Sequence, residues 1–265
     1  MWSRASGRPL HVVTVYPSQY FVGMGRTDAE WVSYNRAEAE RLLAEARELV
    51  TDEVVADYRA VASESAPRGL HDAMEQAGTG ATVIVGSRKA RGLRRTALGS
   101  TAGRLLQGAP GPVTLVPWDY ETTSAAPLRR VAVAYVDTPD GRAALAGAQG
   151  MAAELGAELT VITVLPDTRV APAMGEPHRF ADEQREAFRA ALEESLLGPD
   201  AFLTVRSQLL EGPVVDTLAD LRPEDYDVLV CGSRGYGPAR SVLLGGVSSR
   251  LVRHARLPVV VVPRG

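Results

Sequence analysis

Apolar and polar residues divide the second half of the chain into short apolar runs and longer amphipathic segments. Residues 159–166 (LTVITVLP), 227–232 (DVLVCG) and 258–263 (PVVVVP) are nearly continuous aliphatic runs. Such runs are typical of parallel strands that are buried on both faces of a sheet. The β-rich segments 130–136 and 202–210 bring the predicted strands to five.

Helical patterns lie between these predicted strands. Residues 141–156 are alanine-rich and end at a glycine, which is typical of a helix C-terminus. Residues 181–198 place Phe188, Leu192 and Leu196 on one helical face, and residues 214–221 and 247–255 complete four helices. Strands that alternate with helices predict an α/β fold with an open, doubly wound parallel sheet. Ligands are expected at the carboxyl ends of its central strands.

The first half of the chain repeats this pattern. Residues 6–17 (SGRPLHVVTVYP) resemble 155–166 at an offset of 149, and residues 82–100 resemble 227–246 at an offset of 146. PVTLVP, from Pro112 to Pro117, matches PVVVVP, from Pro258 to Pro263. Three matching blocks in one order predict two related domains, residues 1–118 and 129–265, joined by a linker at 119–128.

The first domain begins part-way through the repeat. Met1 corresponds to Gly150, so the strand at 130–136 and most of the helix after it have no counterpart. Residues 2–7 correspond to the tail of that helix. We therefore expect the chain to be truncated relative to its relatives by ~20 residues. The first domain should then have a gap in its sheet, or its second and fourth strands should pair directly.

The segment 231–249 (CGSRGYGPARSVLLGGVSS) carries the candidate chemistry, between the fourth strand and the last helix. Gly232 and Gly235 suit a tight turn through which backbone N–H groups approach a phosphate. Gly245 and Gly246 open the helix, where unpaired N–H groups and the helix dipole favour an anion. The loop contains neither G-x-x-x-x-G-K-[ST] nor G-x-G-x-x-G.

This glycine spacing, followed by a helix and PVxVVP, resembles the nucleotide-binding signature of the universal stress protein family. The resemblance covers almost the whole chain. It implies two tandem Rossmann-like domains, each an open parallel sheet of order 3-2-1-4-5, the first lacking its first strand. It also implies a stress-response regulator that binds ATP, AMP or ADP, with or without Mg²⁺, and that is not an established enzyme.

The resemblance implies a nucleotide site in the second domain. Its residues are Val136, Asp137, Thr138, Val164, Gly232, Ser233, Gly235, Gly245, Gly246, Val247 and Ser248. Two positions depart from the family's pattern. Gly246 stands where a serine or threonine is usual. Val136 stands where an aspartate usually ends the first strand, and the acid comes one residue later.

The first domain offers a weaker candidate site. Its residues are Gly86, Arg88, Gly99, Ser100 and Thr101. Its second glycine is replaced by Lys89, which does not easily adopt a positive φ. The sequence therefore favours nucleotide binding in the second domain. The alternative is a nucleotide-free interaction module of the same family. A slow ATPase is a third hypothesis, for which no evident general base is present.

Composition narrows the classes of partner and compartment. The net charge of −3 over 265 residues gives no support to nucleic-acid binding, and no apolar run approaches the ~20 residues that span a bilayer. The single cysteine, Cys231, excludes an internal disulfide and suits a reducing cytoplasm. The apolar edge strands PVTLVP and PVVVVP are expected to pair within the chain, and a further homodimer is an open alternative.

Overall fold

A computed structural model describes residues 2–18, 21–22, 26–27, 29–89, 96–120, 127–165, 186, 189–190, 203–233 and 245–263. The first domain contains four helices and eight strands among these residues. In chain order they are α1 (Trp2–Ser6), β1 (Leu10–Pro17), β2 (Phe21–Val22), β3 (Arg26–Thr27), α2 (Ala29–Leu49), β4 (Ala56–Ser63), α3 (Ala66–Ala77), β5 (Val83–Gly86), β6 (Arg88–Lys89), β7 (Thr96–Ala97), α4 (Ser100–Gly108) and β8 (Val113–Val116).

The second domain repeats the alternation of strand and helix. Its elements are β9 (Arg130–Ala134), α5 (Pro139–Leu155), β10 (Glu158–Leu165), β11 (Val205–Glu211), α6 (Val214–Ala219), β12 (Val228–Gly232), α7 (Gly246–His254) and β13 (Val259–Val262). The helix predicted over 181–198 lies almost wholly outside the described residues. No helix in the described ranges is both long and apolar enough to cross a membrane.

Seven strands form one sheet in the order β11-β10-β9-β12-β13-β8-β5. The second domain contributes the first five, and all of their pairings are parallel. This is the predicted order 3-2-1-4-5. Val131, Val133 and Val161 of the central strands are fully buried, as expected for a parallel sheet that helices cover on both faces.

The two domains join through their last strands. β13 pairs antiparallel with β8, with Val259 opposite Leu115 and Val261 opposite Val113. β8 pairs in parallel with β5 on its other side. The antiparallel pair covers two apolar edges that would otherwise be open to other chains. A single apolar cluster also spans the junction, and it includes Leu106 of α4 and Leu251 of α7.

The remaining long strands of the first domain, β1 and β4, form a separate parallel pair. In the second domain, β9 lies between β10 and β12, which are the counterparts of β1 and β5. No described strand precedes β1 in the chain. Among the described strands, β1 pairs only with β4 and β5 pairs only with β8, so no strand fills the sheet position that β9 holds in the second domain. The gap is therefore present, and the alternative of direct pairing between the second and fourth strands is wrong.

The N-terminal helix packs across the domain boundary onto α5. Trp2 and Ala5 of α1 pack against the apolar cluster that contains Leu155 of α5. Arg8, which follows α1, forms an ion pair with Glu154 of α5 at 2.5 Å between Nε and Oε1. α1, which corresponds in the repeat to the C-terminal end of α5, is thus held in place by contacts with α5.

Candidate functional site

The carboxyl ends of β9 and β12 lie side by side at the centre of the second domain's sheet. α5 begins after β9, and α7 begins after the loop that follows β12. α5 packs into one apolar cluster and α7 into the other, so the two connections leave on opposite faces. This is the switch point at which open α/β sheets form a ligand crevice.

Two hydrogen bonds hold the start of α7 against the end of β12. The Gly245 amide donates to the carbonyl of Ser233 at 3.0 Å, and the Ser248 hydroxyl donates to the carbonyl of Gly232 at 2.6 Å. Ser248 is buried. The Ser248 hydroxyl therefore donates its proton to a backbone carbonyl of the protein. This hydrogen bond holds together the two ends of the glycine loop, at Gly232 and Ser248.

The first turn of α7 is uncrowded by the part of the chain that the structure describes. Gly245 is the N-cap and supplies no side-chain hydrogen bond to the helix. Gly246 is exposed, and a Cβ built on it would meet no atom of the described residues within 4 Å. N–H groups at a helix start lack intrahelical partners and lie at the positive end of the dipole. This turn has the geometry that an anion requires. Gly235 lies outside the described residues.

Close backbone packing shapes the β9 side of the crevice. A Cβ on Gly141 would lie 1.9 Å from the carbonyl oxygen of Val136, so only glycine fits where α5 meets the end of β9. The side chain of Val136 is 45% exposed. Thr138 caps α5, and its hydroxyl accepts a hydrogen bond from the Gly141 amide at 3.0 Å. Gly141 could not be predicted from sequence, because glycine is required there only by the close approach of α5 to the end of β9.

Asp137 is already engaged by neighbouring side chains. Arg142 Nε lies 2.8 Å from its Oδ1, and the Tyr135 hydroxyl donates to the same oxygen at 3.4 Å. The Arg142 guanidinium lowers the pKa of the Asp137 carboxyl. Asp137 therefore stays ionised and can accept hydrogen bonds, but it is a weak proton acceptor. Arg142 could not be predicted as a partner of Asp137 from sequence, since the spacing of the two residues matches no motif.

Gly232 lies directly against the first turn of α5. A Cβ on Gly232 would be 2.7 Å from the carbonyl oxygen of Asp140, so glycine is required here for packing as well as for any ligand. Oδ1 of Asp140 is buried without a hydrogen-bond partner among the described residues. Buried acceptors are normally satisfied, so this oxygen is a candidate ligand atom at the edge of the crevice.

Three predicted contact residues are partly or fully withdrawn from the crevice. Val164 is buried in the core cluster, and Val247 packs against that cluster. Ser233 is 2% exposed and lines a small cavity with Leu105 and Val113 of the first domain. The structure therefore places the Ser233 side chain at the domain junction, and only its backbone contributes to the glycine loop.

Cys231 behaves as a small apolar residue. It is buried in the core at the end of β12, and burial raises the pKa of its thiol to about 12. A thiol that stays protonated is neither a nucleophile nor a metal ligand at neutral pH.

The candidate residues of the first domain form a different arrangement. α4 begins with Ser100 and Thr101 after the N-cap Gly99, which provides no side-chain cap. Arg88 Nε lies 3.9 Å from the position of a Cβ on Gly99, so a guanidinium stands beside the helix N-terminus. Gly86, at the end of β5, also adjoins open space.

β6 and β7 form a β-hairpin where the first domain has Lys89 at the second glycine position. β6 pairs antiparallel with β7, with Arg88 opposite Ala97 and Lys89 opposite Thr96. Lys89 thus adopts an extended conformation in place of the turn that a glycine would allow. β7 also contacts α7 of the second domain. The corresponding residues of the second domain, 234–244, lie outside the described residues.

Comparisons with known proteins agree with this architecture. The sequence profile of the universal stress protein family matches residues 3–117 and 127–263. A universal stress protein of Mycolicibacterium smegmatis is 33% identical over 207 residues, which cover 76% of this chain and 67% of that protein. One from Mycobacterium tuberculosis is 26% identical over 251 residues, covering 91% and 84%. The crystal structure of a universal stress protein from Archaeoglobus fulgidus shares the fold, with a TM-score of 0.65 at 20% identity over 99% of this chain and 90% of that one.

Proposed function

The chain belongs to the universal stress protein family of stress-response proteins, and we propose that it binds an adenine nucleotide in its second domain. The observation that carries this proposal is the open first turn of α7, beside the glycine-rich end of β12 at the switch point. Phosphate oxygens would accept hydrogen bonds from the first N–H groups of α7, where the helix dipole favours negative charge. ATP, ADP and AMP all carry phosphate oxygens that can accept these hydrogen bonds.

The rest of the nucleotide would lie towards β9. The exposed side chain of Val136 offers apolar contact to the adenine ring, and the ionised Asp137 offers an acceptor to the ribose hydroxyls. Mg²⁺ usually binds one or two carboxylates together with substrate phosphates. Asp140 Oδ1, buried without a partner, suits an ion that accompanies ATP.

We propose a regulatory binding role rather than an enzymatic one. A general base works best with a pKa near the working pH, whereas Arg142 lowers the pKa of Asp137. Any hydrolysis of ATP should therefore be slow. The buried, unpaired Cys231 supports a reducing cytoplasmic location. A homodimer is the open alternative to a monomer, and light scattering after size exclusion would distinguish the two.

Calorimetric titration of the full chain with ATP, with and without Mg²⁺, tests the proposal. We expect one nucleotide per chain in the second domain. No heat of binding at millimolar ATP would contradict it.

A nucleotide-free interaction module is the second candidate function. It is favoured by the engagement of Asp137 with Arg142, by the use of Thr138 as a cap, and by the missing hydroxyl at Gly246. A partner captured equally with and without ATP, and still captured by Gly246→Asp, would support this candidate instead.

A further inference from the structure

Arg250, in the second turn of α7, has a cationic side chain that reaches back to the start of the helix. Its Nε donates a hydrogen bond to the carbonyl oxygen of Gly246 at 3.1 Å. Side chains on a helix point towards its N-terminus, and residues four apart lie on one face. The Arg250 guanidinium therefore lies beside the first turn of α7, the turn to which the nucleotide phosphates are assigned above.

This place is electrostatically unfavourable for a cation that has no anion beside it. The N-terminus of a helix is the positive end of its dipole, where acidic side chains stabilise the helix and basic ones destabilise it. The first turn of α7 contains no acidic residue, and residues 228–265 contain six arginines and no aspartate or glutamate. Within the described ranges, no carboxylate forms an ion pair with Arg250. A bound anion would therefore be stabilised by the dipole and by the guanidinium together.

The surroundings of Gly246 leave room for an anion next to the guanidinium. A Cβ built on Gly246 would meet no atom of the described residues within 4 Å, and Arg250 is exposed. A guanidinium has five N–H donors in a planar fork. The bond to the Gly246 carbonyl uses the donor on Nε, so the donors on the two Nη atoms remain for phosphate oxygens.

The two sides of α7 would contact different phosphates of one nucleotide. The Ser248 hydroxyl donates to the carbonyl of Gly232, so the Ser248 side of the helix faces β12. Residues two apart on a helix do not face each other, so Arg250 and Gly246 lie on the side away from β12, where both are exposed. A nucleotide with its adenosine towards β9 would place its first phosphate near β12. Its terminal phosphate would then lie on the Arg250 side.

We propose that Arg250 binds the terminal phosphate of the nucleotide, so that the second domain selects ATP over ADP and both over AMP. This inference rests on the nucleotide site proposed above and adds the class of nucleotide that the site prefers. Guanidinium and phosphate form paired, charge-assisted hydrogen bonds, which contribute more than neutral ones. The bond to Gly246 holds the side chain in place before the nucleotide arrives, so less side-chain entropy is lost on binding.

Calorimetric titrations of the full-length protein with ATP, ADP and AMP test this proposal. Mg²⁺ is left out and EDTA is added, so that no divalent cation neutralises the phosphates. The wild-type protein should bind ATP about tenfold more tightly than AMP, with ADP between them. Arg250→Gln keeps a long polar side chain without the charge. It should weaken ATP binding about tenfold and leave AMP binding unchanged.

Two further variants separate the local contact from net charge and from folding. Arg253→Gln removes the same charge from the last turn of α7, and it should bind ATP as tightly as the wild-type protein. Arg250→Lys keeps the charge without the paired donors, and its ATP affinity should lie between those of Arg250→Gln and the wild type.

The melting temperature provides a second readout for the same variants. It should rise slightly in Arg250→Gln and fall slightly in Arg253→Gln, because the helix dipole disfavours the first cation and favours the second. Weaker ATP binding by Arg250→Gln could then not be explained by unfolding.

The possible failures of this proposal and of the nucleotide site differ in the data. If the wild-type protein binds none of the three nucleotides, the site itself is refuted, and the role of Arg250 with it. If the wild type binds ATP and AMP equally, or if Arg250→Gln keeps the preference for ATP, the site stands and the role of Arg250 is refuted. An equal loss of ATP affinity in Arg253→Gln would also refute it, because the effect would then arise from net charge.

Discussion

The substitution Gly246→Asp should raise the stability of the protein and weaken its binding of nucleotide. Because the two effects have opposite signs, a loss of binding cannot be explained by unfolding. Gly246 is the first residue of α7, and an added Cβ would meet no atom within 4 Å. A carboxylate at a helix N-terminus stabilises the helix by about 0.3–1 kcal/mol. Replacing glycine also reduces the entropy of the unfolded chain by a few tenths of a kcal/mol. The melting temperature should therefore rise by about 2–4 °C.

The same carboxylate would repel the phosphates of a bound nucleotide. Two unit charges about 5 Å apart interact by roughly 3 kcal/mol at an effective dielectric constant of 20. This corresponds to a loss of about a hundredfold in affinity. Gly246→Ser instead adds a neutral donor to the site, and it should strengthen ATP binding by up to about tenfold.

The assay combines calorimetric titration with ATP and differential scanning fluorimetry on the same protein samples. Ser100→Asp places a carboxylate at the matching position of α4 in the first domain, and it should leave ATP binding unchanged. The reasoning would be refuted if Gly246→Asp kept the wild-type affinity. It would also be refuted if Ser100→Asp, rather than Gly246→Asp, abolished binding.

Three further predictions concern the β9 side of the crevice and the core. Arg142→Ala removes the cation that lowers the pKa of Asp137; Asp137 then takes up its proton at a higher pH, so acid loss of ATP binding should begin at higher pH, as calorimetry would show. The variant also loses the stability that the lowered pKa contributes above the unfolded pKa, so circular dichroism should show lower stability at neutral pH and a smaller loss on acidification. Gly141→Ala should destabilise the fold by about 1–3 kcal/mol in urea unfolding, because its Cβ would clash with a carbonyl oxygen. Gly150→Ala, in the same helix with open space around it, should stabilise by about 0.5–1 kcal/mol. Cys231, with its pKa raised to about 12, should react with a thiol reagent at pH 8 only after unfolding.

The parallel sheet of the second domain could be predicted from sequence because its strands are apolar on both faces, whereas the strand order 3-2-1-4-5 was implied by the resemblance to the universal stress protein family. β12 and β13 are apolar at almost every position, and β10 is buried along most of its length. The glycines of the loop after β12 stand where a parallel sheet presents its ligand edge. The internal repeat also predicted the gap between β1 and β5, because it showed which strand had no counterpart.

Other features depend on contacts that pattern alone does not specify. Ser233 follows β12 directly, yet its side chain faces α4 of the first domain, which depends on how the domains dock. The ion pair of Asp137 with Arg142 forms across the turn into α5 and matches no helical spacing. The hairpin at Lys89 arises from a charged segment without the alternation of a strand.

Hydrogen–deuterium exchange of the full-length chain, with and without saturating ATP, tests the central claim most directly. We predict that ATP slows exchange in the first turn of α7, from Gly246 to Ser249, and around Val136 to Gly141. The equivalent turn of α4 in the first domain should be unaffected. Protection confined to α4, or none in α7, would contradict nucleotide binding in the second domain.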